Sequence, residues 1–170
     1  KKAILYSLPL LFLGPVSCKD KPQSNIIIAH RPMVVHQQKP QAIGDAMRTN
    51  NISWVGSKYT VKVSVKCDTS LPLATDGATK YYDNRVNINI LRSDGTSFFN
   101  RTFTKADFKP YVDDDYYNGG ALIGIVFDKV DGESLKFAVS VGNPDKTTDE
   151  FVPLELTVSH LGGVSIEKAN

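Results

Sequence analysis

The sequence predicts an all-β domain: a single antiparallel β-sandwich or small β-barrel built from hairpins, with one short helix. Three observations carry this. Apolar and polar residues alternate with period 2 in several runs after residue 53, as in Tyr59-Val61-Val63-Val65-Cys67. Turn signals separate these runs at short intervals, at Asp94-Gly95, Asp131-Gly132 and Gly162-Gly163. Strands follow one another through such turns without intervening helices, which excludes a βαβ plan.

The chain of 170 residues opens on a leader. Lys1 and Lys2 form a basic start, Ala3 to Gly14 an apolar run, and Pro15-Val16-Ser17-Cys18 a small-residue close before a cysteine. The apolar run is too short to cross a bilayer, so residues 1–17 read as a lipoprotein signal peptide and Cys18 as the lipid acceptor. The first residue is Lys1, so an initiator Met is expected just before it. A tight lipobox has Leu where Pro15 stands, and the other reading is an ordinary signal peptide cut near Ser17. A lipidated Cys18 with several acyl chains would anchor the chain stably to a membrane. The expected address is the cell envelope, at the outer membrane in preference to the inner.

Residues 18–50 read as a tether, with Pro22, Pro32 and Pro40 spaced among glutamines. Two apolar patches within it, Ile26-Ile27-Ile28 and Met33-Val34-Val35, are candidates for edge strands. Residues 51–170 then form the β domain. Tyr59 to Cys67 buries one face and wets the other. Val86-Ile88-Ile90 and Phe99-Arg101-Phe103 make a hairpin across Asp94-Gly95, for which a type I′ turn is expected. Thr104 as N-cap, Asp107 three residues on, and Phe103 and Phe108 as a staple predict the helix, which Pro110 limits. Ala121 to Phe127 is apolar on both parities and predicts a central strand covered on both faces. Leu135 to Val141 and Leu154 to Ser159 return to alternation, and Val164 to Glu167 closes the series.

Composition bounds function. Lys1 and Lys2 leave with an acid-free leader, and the remaining chain balances eighteen cations against eighteen acids. A neutral chain offers no electrostatic case for nucleic-acid binding. With Cys18 lipidated, Cys67 is the one cysteine left. That excludes an internal disulfide and any CxxC site, and Cys67 reads as a small buried hydrophobe.

A set of spaced motifs goes beyond pattern: Ser53-Trp54-Val55-Gly56, Ser70-Leu71-Pro72, Tyr82-Asp83-Asn84, Arg92-Ser93-Asp94-Gly95 and the run from Thr102 to Phe108. Asp113-Asp114-Asp115-Tyr116, the run from Gly124 to Lys129, Phe137 to Val141 and Asp149 to Leu154 complete it. Over about residues 53 to 167 the chain resembles a family of Bacteroides-type lipoproteins that carries domain of unknown function 4738. The resemblance implies export to the envelope. It implies no activity and assigns no functional residues.

Three candidate sites remain. Asp113-Asp114-Asp115 before Gly119-Gly120 has the charge of a calcium loop but not its spacing, since Tyr117 and Gly124 stand where oxygen ligands belong. It is read as a solvated loop, with no metal and no cofactor expected. Trp54, Tyr81, Tyr82, Tyr111, Tyr116 and Tyr117 fall at strand ends or in loops, where rings pack at the rim of the core or stack on sugars. No GxSxG elbow, HExxH helix or P-loop occurs. His30 and His36 sit in the tether and His160 at a strand end. The reading is a non-catalytic binding or scaffolding protein, its partner an envelope protein or a glycan. The alternative is a small glycan-acting hydrolase whose paired carboxylates come from Asp83, Asp128 and Glu155.

Overall fold

The computed structural model describes residues 38–169. The leader, Cys18, His30, His36 and both apolar tether patches lie outside the described residues. Eleven strands run in order: β1 (Gln41–Ala42), β2 (Ala46–Trp54), β3 (Ser57–Cys67), β4 (Ala74–Asp76), β5 (Thr79–Tyr82), β6 (Asn84–Arg92), β7 (Ser97–Phe103), β8 (Ala121–Asp131), β9 (Ser134–Gly142), β10 (Phe151–Ser159) and β11 (Val164–Lys168). A 3-10 helix (Lys105–Tyr111) and helix α1 (Asp114–Gly119) join β7 to β8.

The strands make two four-stranded antiparallel sheets, in order β2-β3-β6-β7 and β11-β10-β9-β8. Each sheet is open, so among the described residues the architecture is a sandwich and no barrel closes. One core cluster draws on both inner faces. Val61, Val63, Ile88 and Ile90 come from the first sheet, and Leu135, Phe137, Leu154 and Leu156 from the second. Alternation does this directly, because period 2 sends every second side chain to the same face. Burying each such side chain stabilises the fold by about 1.5–3 kcal/mol. Phe108 of the 3-10 helix is fully buried and lies 6.1 Å from Phe103, ring to ring. As expected, Asp107 accepts from the Thr104 N–H at 2.9 Å and starts the helix.

A third, small sheet, β1-β5-β4, lies outside the sequence expectation. Its strands have two to four residues, too few to show a period. β1 and β2 also move the domain boundary: pairing begins at Gln41, inside the expected tether of residues 18–50. β2 is an edge strand whose residues are mostly exposed, so Arg48-Thr49-Asn50-Asn51 shows no apolar alternation. Its order comes from backbone bonds to β3, to which composition is blind.

Three further expectations are corrected. β8 is an edge strand, not a central one. Its first half is apolar on both parities because Leu122 and Ile125 face the main core, while Ala121 and Ile123 join Ile43, Ala74 and Tyr81. Its second half is not covered on both faces, and Val126 is exposed. The expected acidic loop contains α1, with Asp114 and Asp115 in its first turn, where carboxylates suit the helix dipole. At Asp94-Gly95 only Gly95 has positive φ, at 82°, and the Arg92 N–H bonds Thr96 O. A turn with one left-handed residue beside a register shift is a bulged hairpin, not type I′. Positive φ at both central residues occurs instead at Val55 (48°) and Gly56 (73°), between β2 and β3.

Candidate functional site

The polar site begins where β5 passes to β6. Asp83 is 2 % exposed and Asn84 fully buried. Asp83 Oδ1 accepts the Asn84 N–H at 2.7 Å and the Leu122 N–H at 2.8 Å. Asn84 Nδ2 donates to Leu122 O at 2.9 Å, so two side chains clamp the start of β8. Lys105, the first residue of the 3-10 helix, buries its stem and brings Nζ 3.6 Å from Asp83 Oδ2. The same Nζ donates to Gly120 O at 2.5 Å and sits 5.3 Å from the centre of the Tyr117 ring. Burial pushes the Asp83 carboxyl up, against the lowering by the Leu122 and Asn84 N–H groups and by Lys105.

This clamp fixes Gly120, which borders an open cleft of about 370 Å³. Helix α1 supplies Asp115, Tyr116 and Gly119 to one wall; Thr75, Asn143 and Glu150 face them. Asn143 is preset: its amide donates to Asp76 at 3.2 Å and Glu150 at 3.1 Å, and its Oδ1 accepts the Asp145 N–H at 2.9 Å. Asp145 is in turn held below the usual carboxylate range by the N–H and hydroxyl of Thr147. The Tyr116 ring is exposed at the cleft, and Asp115 makes no hydrogen bond or ion pair among the described residues.

Two glycines bring the walls together. A Cβ on Gly120 would stand 2.2 Å from Tyr116 O and 2.7 Å from Gly142 O. One on Gly142 would stand 2.3 Å from Glu150 O. Both positions therefore require glycine by contact, not by φ.

The residues singled out by sequence scatter. Trp54 is a core residue, packed edge-on against Tyr59 at 5.2 Å and Phe98 at 5.4 Å. Tyr117 lies under Lys105 and Lys109, and Tyr116 alone of the six rings is exposed. Asp83, Asp128 and Glu155 do not form one site. Asp83 is bonded to Leu122, and Asp128 lies six residues farther along β8, about 20 Å away at strand rise. Glu155 is paired with Lys136 on the outer face of β10, which holds its carboxyl low. Asp113, Asp114 and Asp115 gather no metal set; among the described residues no three His, Cys, Asp or Glu side chains are placed to hold an ion. Cys67 is unpaired in a disulfide sense and half-buried, and burial, with Asp45 and Asp68 nearby, raises its thiol. His160 meets Glu133 at 3.2 Å on the rim. Sequence reasoning missed Lys105, Thr75, Asn143 and Glu150. The motif Tyr82-Asp83-Asn84 marked one side of the clamp, but no spacing rule pairs Asp83 with a lysine in the next helix.

Comparison with known families gives one match: the family described as domain of unknown function (DUF4738) covers residues 27–166. Comparison with curated proteins gives no significant match.

Proposed function

The chain belongs to the DUF4738 family, and from that premise we propose that it is a non-catalytic binding protein of the cell envelope, anchored by lipid at Cys18. The ligand class we assign to the cleft is neutral and rich in hydroxyl groups, a glycan end. The observation that carries this is the exposed Tyr116 ring beside Asp115, Asn143 and Glu150. An aromatic face takes the C–H side of a sugar ring, while carboxylate and amide oxygens accept from its hydroxyls. Asp76, Asp115 and Glu150 around the cleft disfavour an anion. The carboxyl with a raised proton affinity, Asp83, is buried, already bonded to two N–H groups and ion-paired with Lys105, which supports a structural role over general acid chemistry.

The test is a glycan array with the full chain, followed by calorimetry on the best ligand. Tyr116→Ala is expected to weaken binding about tenfold, the loss of roughly 1–1.5 kcal/mol of ring contact. Binding insensitive to Tyr116→Ala, or a salt-sensitive preference for amines, would reject the assignment. Release of new reducing ends from a bound glycan would reject the non-catalytic reading in favour of a hydrolase. The anchor is tested apart from the ligand: incorporation of labelled palmitate that persists in Cys18→Ala would refute it.

A further inference from the structure

The sheet β2-β3-β6-β7 contains no Asp or Glu and seven Lys or Arg residues. Alternation sorts them. With Val61, Val63 and Val65 buried, Lys62 and Lys66 point to the outer face, and Lys58 continues the row. These lysines are exposed and take part in no ion pair among the described residues. They recur every four residues on one strand, about 13–14 Å apart. Between them the same face carries amides and hydroxyls in cross-strand rows. Thr49, Lys62, Asn89 and Asn100 are one row by register. Asn87 donates to Asn100 at 2.8 Å and to Thr102 at 3.2 Å, and Thr60 donates to Asn51 at 3.0 Å. Arg85, at the end of the face, is matched by Asp68.

We propose that this outer face docks an acidic polysaccharide, a polymer with carboxylate or sulfate groups at intervals and hydroxyls between them. Spaced lysines answer the anionic groups, and the amide and hydroxyl rows answer the sugar hydroxyls. The chemistry of the face disfavours other polyanions. A lipid surface calls for apolar side chains to insert, and of the large exposed hydrophobic side chains only Met47, on the edge strand, belongs to this face. Single-stranded nucleic acid calls for stacking rings, yet Tyr59, Phe98, Phe99 and Phe103 all pack with the core. A broad sheet face does not enter a duplex groove, which admits a helix or a two-stranded ribbon. The face is separate from the cleft, whose carboxylates repel the same polymer.

The experiment is affinity electrophoresis and calorimetry of the full chain with polygalacturonate, with neutral dextran, phosphatidylglycerol vesicles and duplex DNA as comparisons. The expected result is binding to polygalacturonate that weakens steeply with salt and falls at least tenfold in Lys58→Gln/Lys62→Gln/Lys66→Gln. These are exposed strand positions, so the variant is expected to keep its thermal transition, as is the control Lys80→Gln, which leaves binding unchanged. The proposal is overturned by no binding at low salt, by binding that survives the triple substitution, or by equal binding of dextran. Tighter binding to vesicles or DNA than to polygalacturonate overturns it as well.

Discussion

Asp83 and Lys105 are a buried ion pair, and the energetics of such pairs are asymmetric. Removing one partner strands the other charge in the interior, which costs about 3–5 kcal/mol, whereas replacing both is often close to neutral. Lys105→Met, which leaves the buried Asp83 carboxylate without its partner, is expected to destabilise by that order, and by much less in an Asp83→Asn background, as read in a denaturant double-mutant cycle. The pH dependence has a definite sign. Burial raises the folded carboxyl above the unfolded value of about 3.9. A raised acid gives stability that is fully present below the unfolded value and is lost as pH rises through the folded one. The gap between wild type and Asp83→Asn is therefore widest in acid and narrows with rising pH. Glu155 has the opposite sign: the Lys136 bond lowers its carboxyl, so its contribution is present above the unfolded value and lost as pH falls. A gap at Asp83 that widens with pH would show that the ion pair outweighs burial.

At the scale of elements, the end of α1 meets the end of β9, and the end of β9 meets the start of β10, through bare backbone. Gly120→Ala and Gly142→Ala each place a methyl within 2.3 Å of a backbone oxygen and are expected to cost about 3 kcal/mol or more. Gly119→Ala meets Thr75 at ordinary contact distance, Oγ1 at 3.7 Å and O at 4.0 Å, and gains helix propensity, so its midpoint is expected to hold or rise. Equal losses at all three positions would mean that the walls of the cleft are not set by this contact. Such features mark where sequence reasoning stops. The paired strands β3, β6, β7, β9 and β10, the core residues and the Thr104–Asp107 helix start were legible, because burial on one face writes itself as period 2 and a helix start as a local motif. β2 was not, since its exposed run from Ala46 to Asn51 has no pattern to write. Gly119-Gly120 read as a soft loop, because a glycine required by close contact looks the same as one required by a turn. The cleft was invisible for a different reason: Thr75, Tyr116, Asn143 and Glu150 come from separate segments that only the closed sandwich brings together. The basic face was concealed by averaging, since a balanced total of charges hides a sheet with none of the acids.

For the whole domain, the question is whether two sheets that share one core melt together. Trp54 is the only tryptophan and sits in the first sheet, 2 % exposed against Tyr59 and Phe98. It reports on that sheet. Leu156 is fully buried on β10 in the second sheet and belongs to the same core cluster. Leu156→Ala removes buried volume and is expected to cost about 2–5 kcal/mol. In a cooperative sandwich this loss must appear at Trp54, although the two residues belong to different sheets. The expected result is one transition, with tryptophan fluorescence and far-UV circular dichroism coincident in wild type and shifted together in the variant. If the second sheet unfolds by itself, the dichroism midpoint falls while the Trp54 midpoint stays. The shared cluster of Ile88, Ile90, Phe137 and Leu156 argues for the first outcome, because neither sheet keeps its inner face dry once the other has left.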